Sequence, residues 1–526
     1  MRDFHLPGRS PVFASNGMCA TSHPLAAKVA VETLEAGGNA VDASIAGAVL
    51  LGLCEPHMTG LGGDCFVLFS PAGGREILAL NGSGRAPAAL SAAALRAAGH
   101  SVVPRQSAAA VTLPGAVDAF CRLSEDHGKL ELDRCLAPAI RYAEEGVPVA
   151  PRVAFDWARE ANNLSPVAQN YYLTSGTTPV PGTVFRAPGQ AEVLRRLARD
   201  GRKAFYEGDV AEDLLSGLTA AGGVHTAADF SAVACEYTQP ISGNYKTAQV
   251  WEHPPNGQGA AAILLMNVLS HFDLAALDPF GAERAHLETE AAKLAYDARN
   301  RFVGDADHSE RVAHMLAPET AEALAALIDP NRALPNARDV TEAVHRETIY
   351  ITVVDRDRMA VSLIYSIFDS FGSGIASPKF GILLHNRGAG FTLEEGHPNE
   401  AAGGKRPMHT IIPGIVTRKG RVEMPFGVMG GQYQAHGHAR FVSNIEDFGM
   451  DVQTAIDGPR CFSEKGDLRV ENGYSDAVKA RLTELGHTVV DPPTAIGGAQ
   501  AIRIDADTGV LEGGSDPRKD GCALGY

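Results

Sequence analysis

The sequence lacks the features that would place it in a membrane or hold it together with disulfides. It contains no apolar run long enough to span a bilayer, and its opening stretch has no hydrophobic signal-peptide core. Its eight cysteines are scattered, without a CxxC pair or a metal-ligand spacing. From these absences we expect a cytoplasmic protein with reduced cysteines.

Positive charge is also scarce. Lysine and arginine number 46 against 62 aspartate and glutamate residues, which gives a formal net charge of −16. Such a field repels phosphate backbones and anionic lipid, so nucleic acid and membrane surfaces are not expected as partners. A small anionic substrate is still compatible with this charge if arginines dominate its local surroundings.

Hydrophobic residues make up 45% of the 526 positions, which is enough for a large core. Their spacing predicts helices in four segments: 35–56, 129–149, 281–302 and 317–328. Runs rich in β-formers predict a hairpin from 348–355 and 359–367, and a strand pair in 409–428 that turns at Lys419 and Gly420. A helix-rich first two-thirds before a strand-rich last third predicts an α+β fold, with helices covering stacked sheets.

The segment 329–347 is polar, contains two prolines and is the best candidate for a linker. It ends immediately before Thr348. If the chain were cut there, the new α-amine of Thr348, with a pKa near ~7.7–8.0, could act as the base for its own hydroxyl. Spacing alone favours a simpler interpretation, in which Thr348 opens a strand because β-branched residues suit strands.

A resemblance decides between these interpretations. It rests on several blocks in a fixed order: GGNAVDASIAGAVLLGLCEPHMTGLGGDCFVLF (37–69), VTLPGAVDAF (111–120), AFYEGDVA (204–211), EAAKLAYDARNRFVGD (290–305), GGKRPMHTIIPGIV (403–416) and SDPRKDGCALGY (515–526). In these blocks the chain resembles the gamma-glutamyltranspeptidase family of N-terminal-nucleophile hydrolases. The resemblance implies a four-layer αββα sandwich made as one precursor. The precursor would cut itself between Glu347 and Thr348 into a large subunit, 1–347, and a small subunit, 348–526.

The resemblance also implies roles for individual residues. Thr348 would be nucleophile and base, Ser366 would support it, and the backbone amides of Gly430 and Gly431 would hold the oxyanion. Asn386 would line the pocket. The activity implied is that of a glutathione hydrolase or gamma-glutamyltransferase, which passes an acyl group from Thr348 to water or to an amine without a cofactor or metal.

The substrate pocket departs from the family pattern. Ser83 occupies the place of the arginine that grips the glutamate carboxylate, and Arg85 follows two residues later. The differences further along the chain are Phe368 for an asparagine, Gly390 for an aspartate that binds the α-amine, the pair His409 and Thr410 for two serines, and an additional arginine, Arg387. We expect Arg85 and Arg387 to bind a substrate carboxylate beside His409 and Thr410. These variants resemble a branch that includes oxamate amidohydrolase-like members.

Three functions therefore stay open: a gamma-glutamyl enzyme, a hydrolase of a small anionic amide, and an inactive relative that only binds a ligand. A metal hydrolase is a further rival because of the HxH pair His436 and His438, but we expect both to be ordinary helix or loop residues. The family resemblance also allows two large–small heterodimers to pair.

Overall fold

The computed structural model describes His5, residues 8–334 and residues 348–526. Within these residues there are nineteen strands: β1 (Val12–Ala14), β2 (Met18–Thr21), β3 (Asp64–Ser70), β4 (Leu78–Gly82), β5 (Val147–Pro148), β6 (Val184–Phe185), β7 (Glu236–Thr238), β8 (Ile241–Tyr245), β9 (Ala248–Glu252), β10 (Ile349–Val354), β11 (Ala360–Ser366), β12 (Gly414–Arg418), β13 (Arg421–Met429), β14 (Cys461–Glu464), β15 (Asp467–Val470), β16 (Thr488–Val490), β17 (Gly498–Ile504), β18 (Leu511–Ser515) and β19 (Cys522–Gly525).

The same part of the chain forms eighteen α-helices: α1 (Pro24–Glu35), α2 (Ala40–Cys54), α3 (Ala92–Ala97), α4 (Ala116–His127), α5 (Leu132–Glu145), α6 (Pro151–Glu160), α7 (Pro166–Tyr172), α8 (Pro188–Asp200), α9 (Lys203–Tyr206), α10 (Gly208–Ala220), α11 (Ala227–Ser231), α12 (Gly259–Leu269), α13 (Ala282–Phe302), α14 (Val312–Met315), α15 (Pro318–Ala325), α16 (Gln434–Glu446), α17 (Val452–Asp457) and α18 (Asp476–Glu484).

Two seven-stranded antiparallel sheets form the centre of the molecule. The first has the order β1-β18-β17-β13-β12-β9-β8, and the second has the order β19-β2-β10-β11-β3-β4-β7. Helices α1, α2 and α4 pack on the outer face of the second sheet, whereas α12 and α16 pack on the first. An apolar layer joins the inner faces of the sheets. This arrangement is the predicted αββα sandwich.

Helix α2 illustrates how local sequence builds the outer layers. Asn39 accepts a hydrogen bond from the backbone N–H of Asp42, whose carboxylate accepts one from the N–H of Asn39 in return. This capping box satisfies amide groups at the helix start. All fifteen helical residues are buried, as expected for a helix that is apolar on every side. The helix predicted in 35–56 is therefore confirmed.

The predicted hairpin is also confirmed. Strands β10 and β11 pair antiparallel, with Ile349 opposite Tyr365, and β10 pairs with β2 along its other edge. Every residue of β10 is buried. The second predicted turn joins β12 to β13, where Lys419 and Gly420 have positive φ angles of 52° and 72°.

Strands from both sides of the predicted cleavage point share each sheet. Residues before 335 supply β1, β8 and β9 to the first sheet and β2, β3, β4 and β7 to the second. Residues from 348 onward supply the remaining strands. The division into a helix-rich and a strand-rich part is therefore incomplete, because nine of the strands precede the boundary. Most of the predicted linker, 335–347, and with it Glu347, lies outside the described residues.

The last residue of the chain lies beside the first strands. Tyr526 donates its backbone N–H to the carbonyl oxygen of Gly17 at 3.1 Å, and its own carbonyl accepts from the N–H of Asn16 at 2.9 Å. The eight cysteines are free thiols, most of them buried. None of the helices within the described ranges combines the length and apolarity needed to cross a membrane.

The shared sheets predict how a cut chain behaves. After cleavage before Thr348, the two fragments should stay together without denaturant, because separating them breaks strand pairs in both sheets and exposes the apolar layer between them. Size-exclusion chromatography should show one species of 55.3 kDa, or of twice that mass if two heterodimers pair, and denaturing electrophoresis of the same fraction should show two bands. Separate elution of the fragments would contradict this expectation.

Candidate active site

Thr348 and Ser366 face each other at the ends of two neighbouring strands. Thr348 immediately precedes β10, and Ser366 closes β11. The hydroxyl of Thr348 donates to the Ser366 Oγ at 3.3 Å, and both side chains are buried. Ser366 Oγ also accepts the backbone N–H of Phe368 at 2.9 Å. Strand register thus places a hydroxyl pair at one point in the interior.

A glycine turn follows β13. Gly430 and Gly431 have φ angles of 119° and 55°, which a residue with a side chain adopts only with strain. The side-chain amide of Gln258 fixes this turn by donating to the carbonyl oxygens of Gly431 at 3.1 Å and of Thr410 at 2.6 Å. Arg299 in turn holds Gln258, because its Nη1 donates a hydrogen bond to the Gln258 Oε1 at 2.6 Å. The side chain of Gln258 therefore holds the turn in place and links it to Thr410.

Arg387 lies on the other side of Thr410. Its Nη1 donates to the Thr410 hydroxyl at 2.9 Å, and its guanidinium carbon lies 3.8 Å from the centre of the Phe368 ring. Burial lowers the pKa of Arg387 to about 9, and the nearby carboxylates of Asp64 and Asp369 oppose that shift. The side chain is therefore still a cation at neutral pH, and only 1% of it is exposed.

Asp64 is the buried anion of this region, and the sequence analysis did not single it out. Its Oδ1 accepts from the backbone N–H groups of Gly84 at 3.0 Å and Gly115 at 3.1 Å. Its Oδ2 lies 3.4 Å from His409 Nε2 and 3.7 Å from His385 Nδ1. Burial alone would raise the pKa of Asp64, but these histidines and the charge of Arg387 hold it below its usual value.

The two histidines are neutral. Burial, with a further contribution from Arg387, lowers the pKa of His409 to about 3, and burial also lowers the pKa of His385. His385 donates from Nε2 to the carbonyl oxygen of Thr112 at 2.8 Å. The region thus holds the buried cation Arg387 and two nearby carboxylates, Asp64 and Asp369, while the rings of His409 and His385 are uncharged.

Asn386 and Arg85 occupy different surroundings. The side-chain amide of Asn386 donates to Asp369 at 2.8 Å, and its oxygen accepts the N–H of Asp369 at 3.0 Å. Arg85 is 42% exposed, contacts Asp305 at 3.3 Å and Glu236 at 3.6 Å, and lines a separate cavity of about 310 Å³. Neither residue bonds to Thr410 or Ser366 through the contacts seen here, and their substrate roles stay predictions.

Gly390 stands where other members of the resembling family carry the aspartate for an α-amine. A Cβ at Gly390 would lie only 2.8 Å from the carbonyl oxygen of Met408. A side chain could enter here only if the backbone moved. The path of the backbone at Gly390 therefore leaves no room for the side chain of an aspartate.

The histidines of the HxH pair are ordinary helix residues, as predicted. His436 and His438 are buried in α16, and His438 Nδ1 lies 2.7 Å from Glu252 Oε1. Among the described residues a different group has the spacing of metal ligands: His286, Glu290 and His487. Its atoms already have protein partners, since the two rings hydrogen-bond at 2.8 Å and Lys293 lies 2.6 Å from Glu290.

Comparison with known proteins bears directly on this site. A family model described as Gamma-glutamyltranspeptidase matches residues 26–526. The chain belongs to the gamma-glutamyltranspeptidase family. This membership confirms the predicted family, the N-terminal-nucleophile hydrolase fold and the prediction of an enzyme.

Relatives within the gamma-glutamyltranspeptidase family match over nearly their whole length. The chain is 34% identical to the glutathione hydrolase-like YwrD proenzyme of Bacillus subtilis (strain 168), over 98% of this chain and 99% of the relative. It is 36% identical to the oxamate amidohydrolase proenzyme of Klebsiella pneumoniae, with the same two coverages. The crystal structure of cephalosporin acylase from Bacillus halodurans superposes with a TM-score of 0.93 at 36% identity, over 100% of this chain and 99% of that one.

Asp64 and Gln258 were missed because their partners are distant in sequence. One signal was available for Asp64: it is a single carboxylate at the head of the apolar run DCFVLF. A buried carboxylate in such a run needs a partner, which marks it as a candidate site residue. Gln258 offers no comparable signal, because its importance lies in two carbonyl groups that only the fold brings together.

The buried histidines predict acid sensitivity. His253 stacks on Phe66 at 4.0 Å, and burial lowers its pKa to about 4. An unfolded histidine binds a proton near pH ~6.5, so the unfolded state binds more protons than the folded one between these values. Stability contributed by neutral His253 is therefore present above pH ~6.5 and is lost as the pH falls towards 4.

The substitution His253→Phe keeps an aromatic ring on Phe66 but removes this titration. Between pH 7 and 4.5, the loss in free energy of unfolding should be about 2 kcal/mol smaller than in the wild type. Urea unfolding at both pH values measures it. The exposed His271→Gln is the control and should keep the wild-type pH dependence; an equal pH dependence in His253→Phe would contradict the expectation.

Proposed function

We propose that the protein is a self-processing amide hydrolase that works through an acyl-enzyme on Thr348. The observation that carries the proposal is the buried Thr348–Ser366 hydroxyl pair at the head of a central strand, 3.3 Å apart. The rigid turn at Gly430 and Gly431 supports it, since backbone N–H groups in such turns stabilise oxyanions. The proposal extends to a large subunit, 1–347, and a small subunit, 348–526.

Processing would begin with the hydroxyl of Thr348. Its Oγ1 attacks the carbonyl carbon of Glu347, the peptide C–N bond breaks, and the acyl group passes from nitrogen to oxygen. Water then hydrolyses the resulting ester. Glu347 leaves with a free carboxylate, and Thr348 keeps a free hydroxyl and a new α-amine.

Turnover would use the same atoms. The α-amine accepts the proton of Oγ1 as the oxygen attacks the substrate amide, and the oxyanion forms at the Gly430–Gly431 turn. Collapse expels the leaving amine, which takes the proton, and leaves an ester on Thr348. Water releases the acid from this ester; an amine acceptor would instead give acyl transfer. Ser366 supports the nucleophile because its hydroxyl can both accept and donate.

The relatives' names indicate which bond is cut. A glutathione hydrolase-like protein, an oxamate amidohydrolase and a cephalosporin acylase share the cleavage of an amide. Gly390 leaves no carboxylate for an α-ammonium group, and burying that group unpaired would be costly. We therefore place amide hydrolysis ahead of a specifically glutamyl activity. His409, Thr410 and Asn386 are proposed to line the substrate pocket with Arg387, and Arg85 stays a candidate.

The proposal also includes the assembly of the two subunits. The two subunits form a heterodimer through their shared sheets. A pairing of two heterodimers and a cytoplasmic location are predictions that rest on the sequence alone.

Replacement of the nucleophile tests the function. Thr348→Ala should abolish both chain cleavage and amide hydrolysis, because the hydroxyl is the attacking group in both reactions. Thr348→Ser keeps the hydroxyl and the α-amine and should retain cleavage and some turnover, which shows that the site still folds. Denaturing electrophoresis and ammonia or amine release are the measurements. An uncut Thr348→Ala chain with full activity would end the proposal, and an uncut, inactive wild type would favour a binding protein.

The α-amine also predicts the pH dependence of turnover. Activity of the cut enzyme should fall as the pH drops below ~7.7–8.0, because a protonated amine cannot accept the hydroxyl proton. A pH profile of kcat/KM measures this. A rate that stays constant down to pH 5 would contradict the role of the α-amine as base.

A further inference from the structure

The two arginines predicted to bind a carboxylate, Arg85 and Arg387, differ in their exposure and in the ionic partners they already have. Arg85 is half-exposed and already lies between two carboxylates, Asp305 and Glu236. Arg387 is 1% exposed and lacks such a direct carboxylate contact within the described ranges. A buried cation without an ionic partner is costly, so its position calls for an anion from outside the chain.

The unused donors of Arg387 have a defined geometry. Its Nη1 is bonded to Thr410, whereas Nε and Nη2 have no hydrogen-bond partner among the described residues. Nε–H and Nη2–H lie along one edge of the guanidinium plane and point in nearly parallel directions. This pair of donors matches the two oxygens of a carboxylate side by side.

The guanidinium plane is held in place from two directions. The Phe368 ring covers one face at 3.8 Å, and the Thr410 hydroxyl fixes Nη1 at 2.9 Å. Phe368 is itself held, because its backbone N–H bonds to Ser366 Oγ, the partner of the nucleophile. Thr410 is tied through Gln258 to the carbonyl of Gly431. The donor edge is therefore fixed close to both the nucleophile and the oxyanion turn.

Charge in the surroundings favours one further anion. Asp64 is already compensated by two backbone N–H groups and by His409. His409 and His385 are neutral and add no competing cation. Arg387 is therefore the charged donor available to a substrate carboxylate at this site.

We propose that Arg387 is the carboxylate receptor of the acyl pocket, and that the substrates are monoamides of short dicarboxylic acids without a required α-ammonium group. This inference rests on the proposed function. Nε and Nη2 of Arg387 bind the free carboxylate side by side, while the amide carbonyl at the other end of the short acyl chain lies at Thr348. The contacts of Arg387 with Phe368, and of Phe368 with the Ser366–Thr348 pair, keep the carboxylate site near the nucleophile, which favours a short acyl chain.

Two isosteric substrates test the proposal without any mutation. Oxamate carries a carboxylate where oxamide carries a second neutral amide, so the pair differs only in the group assigned to Arg387. The cut wild-type enzyme should prefer oxamate by about 100-fold or more in kcat/KM, since two charge-assisted hydrogen bonds are at stake. A comparison of malonamate, succinamate and glutaramate measures which acyl chain length the enzyme prefers. Glutathione is the glutamyl substrate for comparison. Equal rates on oxamate and oxamide, or faster turnover of glutathione than of every monoamide, would overturn the proposal.

Variants assign the preference to one side chain. Arg387→Gln should lose about 100-fold on oxamate yet change oxamide turnover little, and Arg387→Lys should recover only part of the loss because lysine lacks the paired donors. Arg199→Gln, at an exposed arginine of α8, is the matched control and should keep the wild-type preference. If Arg387→Gln cuts itself and hydrolyses oxamide but keeps its preference for oxamate, the receptor is elsewhere while the proposed function stands.

Failure of the proposed function has a different signature. In that case the wild type would stay uncut, or Thr348→Ala would remain active, whatever happens at Arg387. If an Arg387 variant does not fold, the comparison of oxamate with oxamide in the wild type still decides. If no amide is turned over, thermal unfolding with oxalate or malonate replaces the assay: a rise in Tm in the wild type and none in Arg387→Lys supports the receptor, and no rise overturns it.

Discussion

The site depends on one constraint: Thr348 immediately precedes β10, an interior strand of the second sheet. Strand β10 is paired along both edges, with β2 on one side and β11 on the other, and all its residues are buried. In the proposed processing, the sheet forms around an intact backbone and the α-amine is then made in place. Cleavage would then be the last step in building the site, and the pairing that aligns Ser366 with Thr348 would precede it.

A balance of buried charge is the second constraint. Asp64 and Arg387 each bring a charge that costs several kcal/mol to bury without compensation. Backbone N–H groups and a neutral histidine compensate Asp64, whereas a hydroxyl and an aromatic ring serve Arg387 only in part. Burial above all, and then the charge of Arg387, lowers the pKa of His409 to about 3, so that no second cation forms beside Arg387 at neutral pH. The folded enzyme thus keeps a cation that its own side chains leave incompletely satisfied, as functional sites often do.

The sequence predicted those features that neighbouring residues determine. The helix in 35–56, the β10–β11 hairpin and the turn at Lys419 and Gly420 follow from patterns within a few residues, and each is present. The family blocks extended this to the four layers and to the pairing of Thr348 with Ser366. What local patterns could not provide is the contribution of seven early strands to the two sheets, because strand order depends on contacts far apart in sequence.

The same limit applied to the pocket. Arg85 and Arg387 could not be ranked from the sequence, since their difference lies in distant partners: Asp305 and Glu236 for one, Thr410 and Phe368 for the other. The position of Asp64 within the site became clear when register placed residue 64 opposite Ser366. Sequence patterns identified the residue types that such chemistry needs, and the fold decided which of them are still unsatisfied.

The backbone pairing of Tyr526 with Asn16 and Gly17 makes the polypeptide almost circular. A short glycine-rich bridge from Tyr526 to residue 8 would close the ring without disturbing either sheet, and new ends could be opened between residues 347 and 348. In a gene permuted in this way, Thr348 would become an amino terminus as soon as the initiator methionine was removed. The α-amine of Thr348 would then be present from synthesis, and the chain would need no self-cleavage to form it.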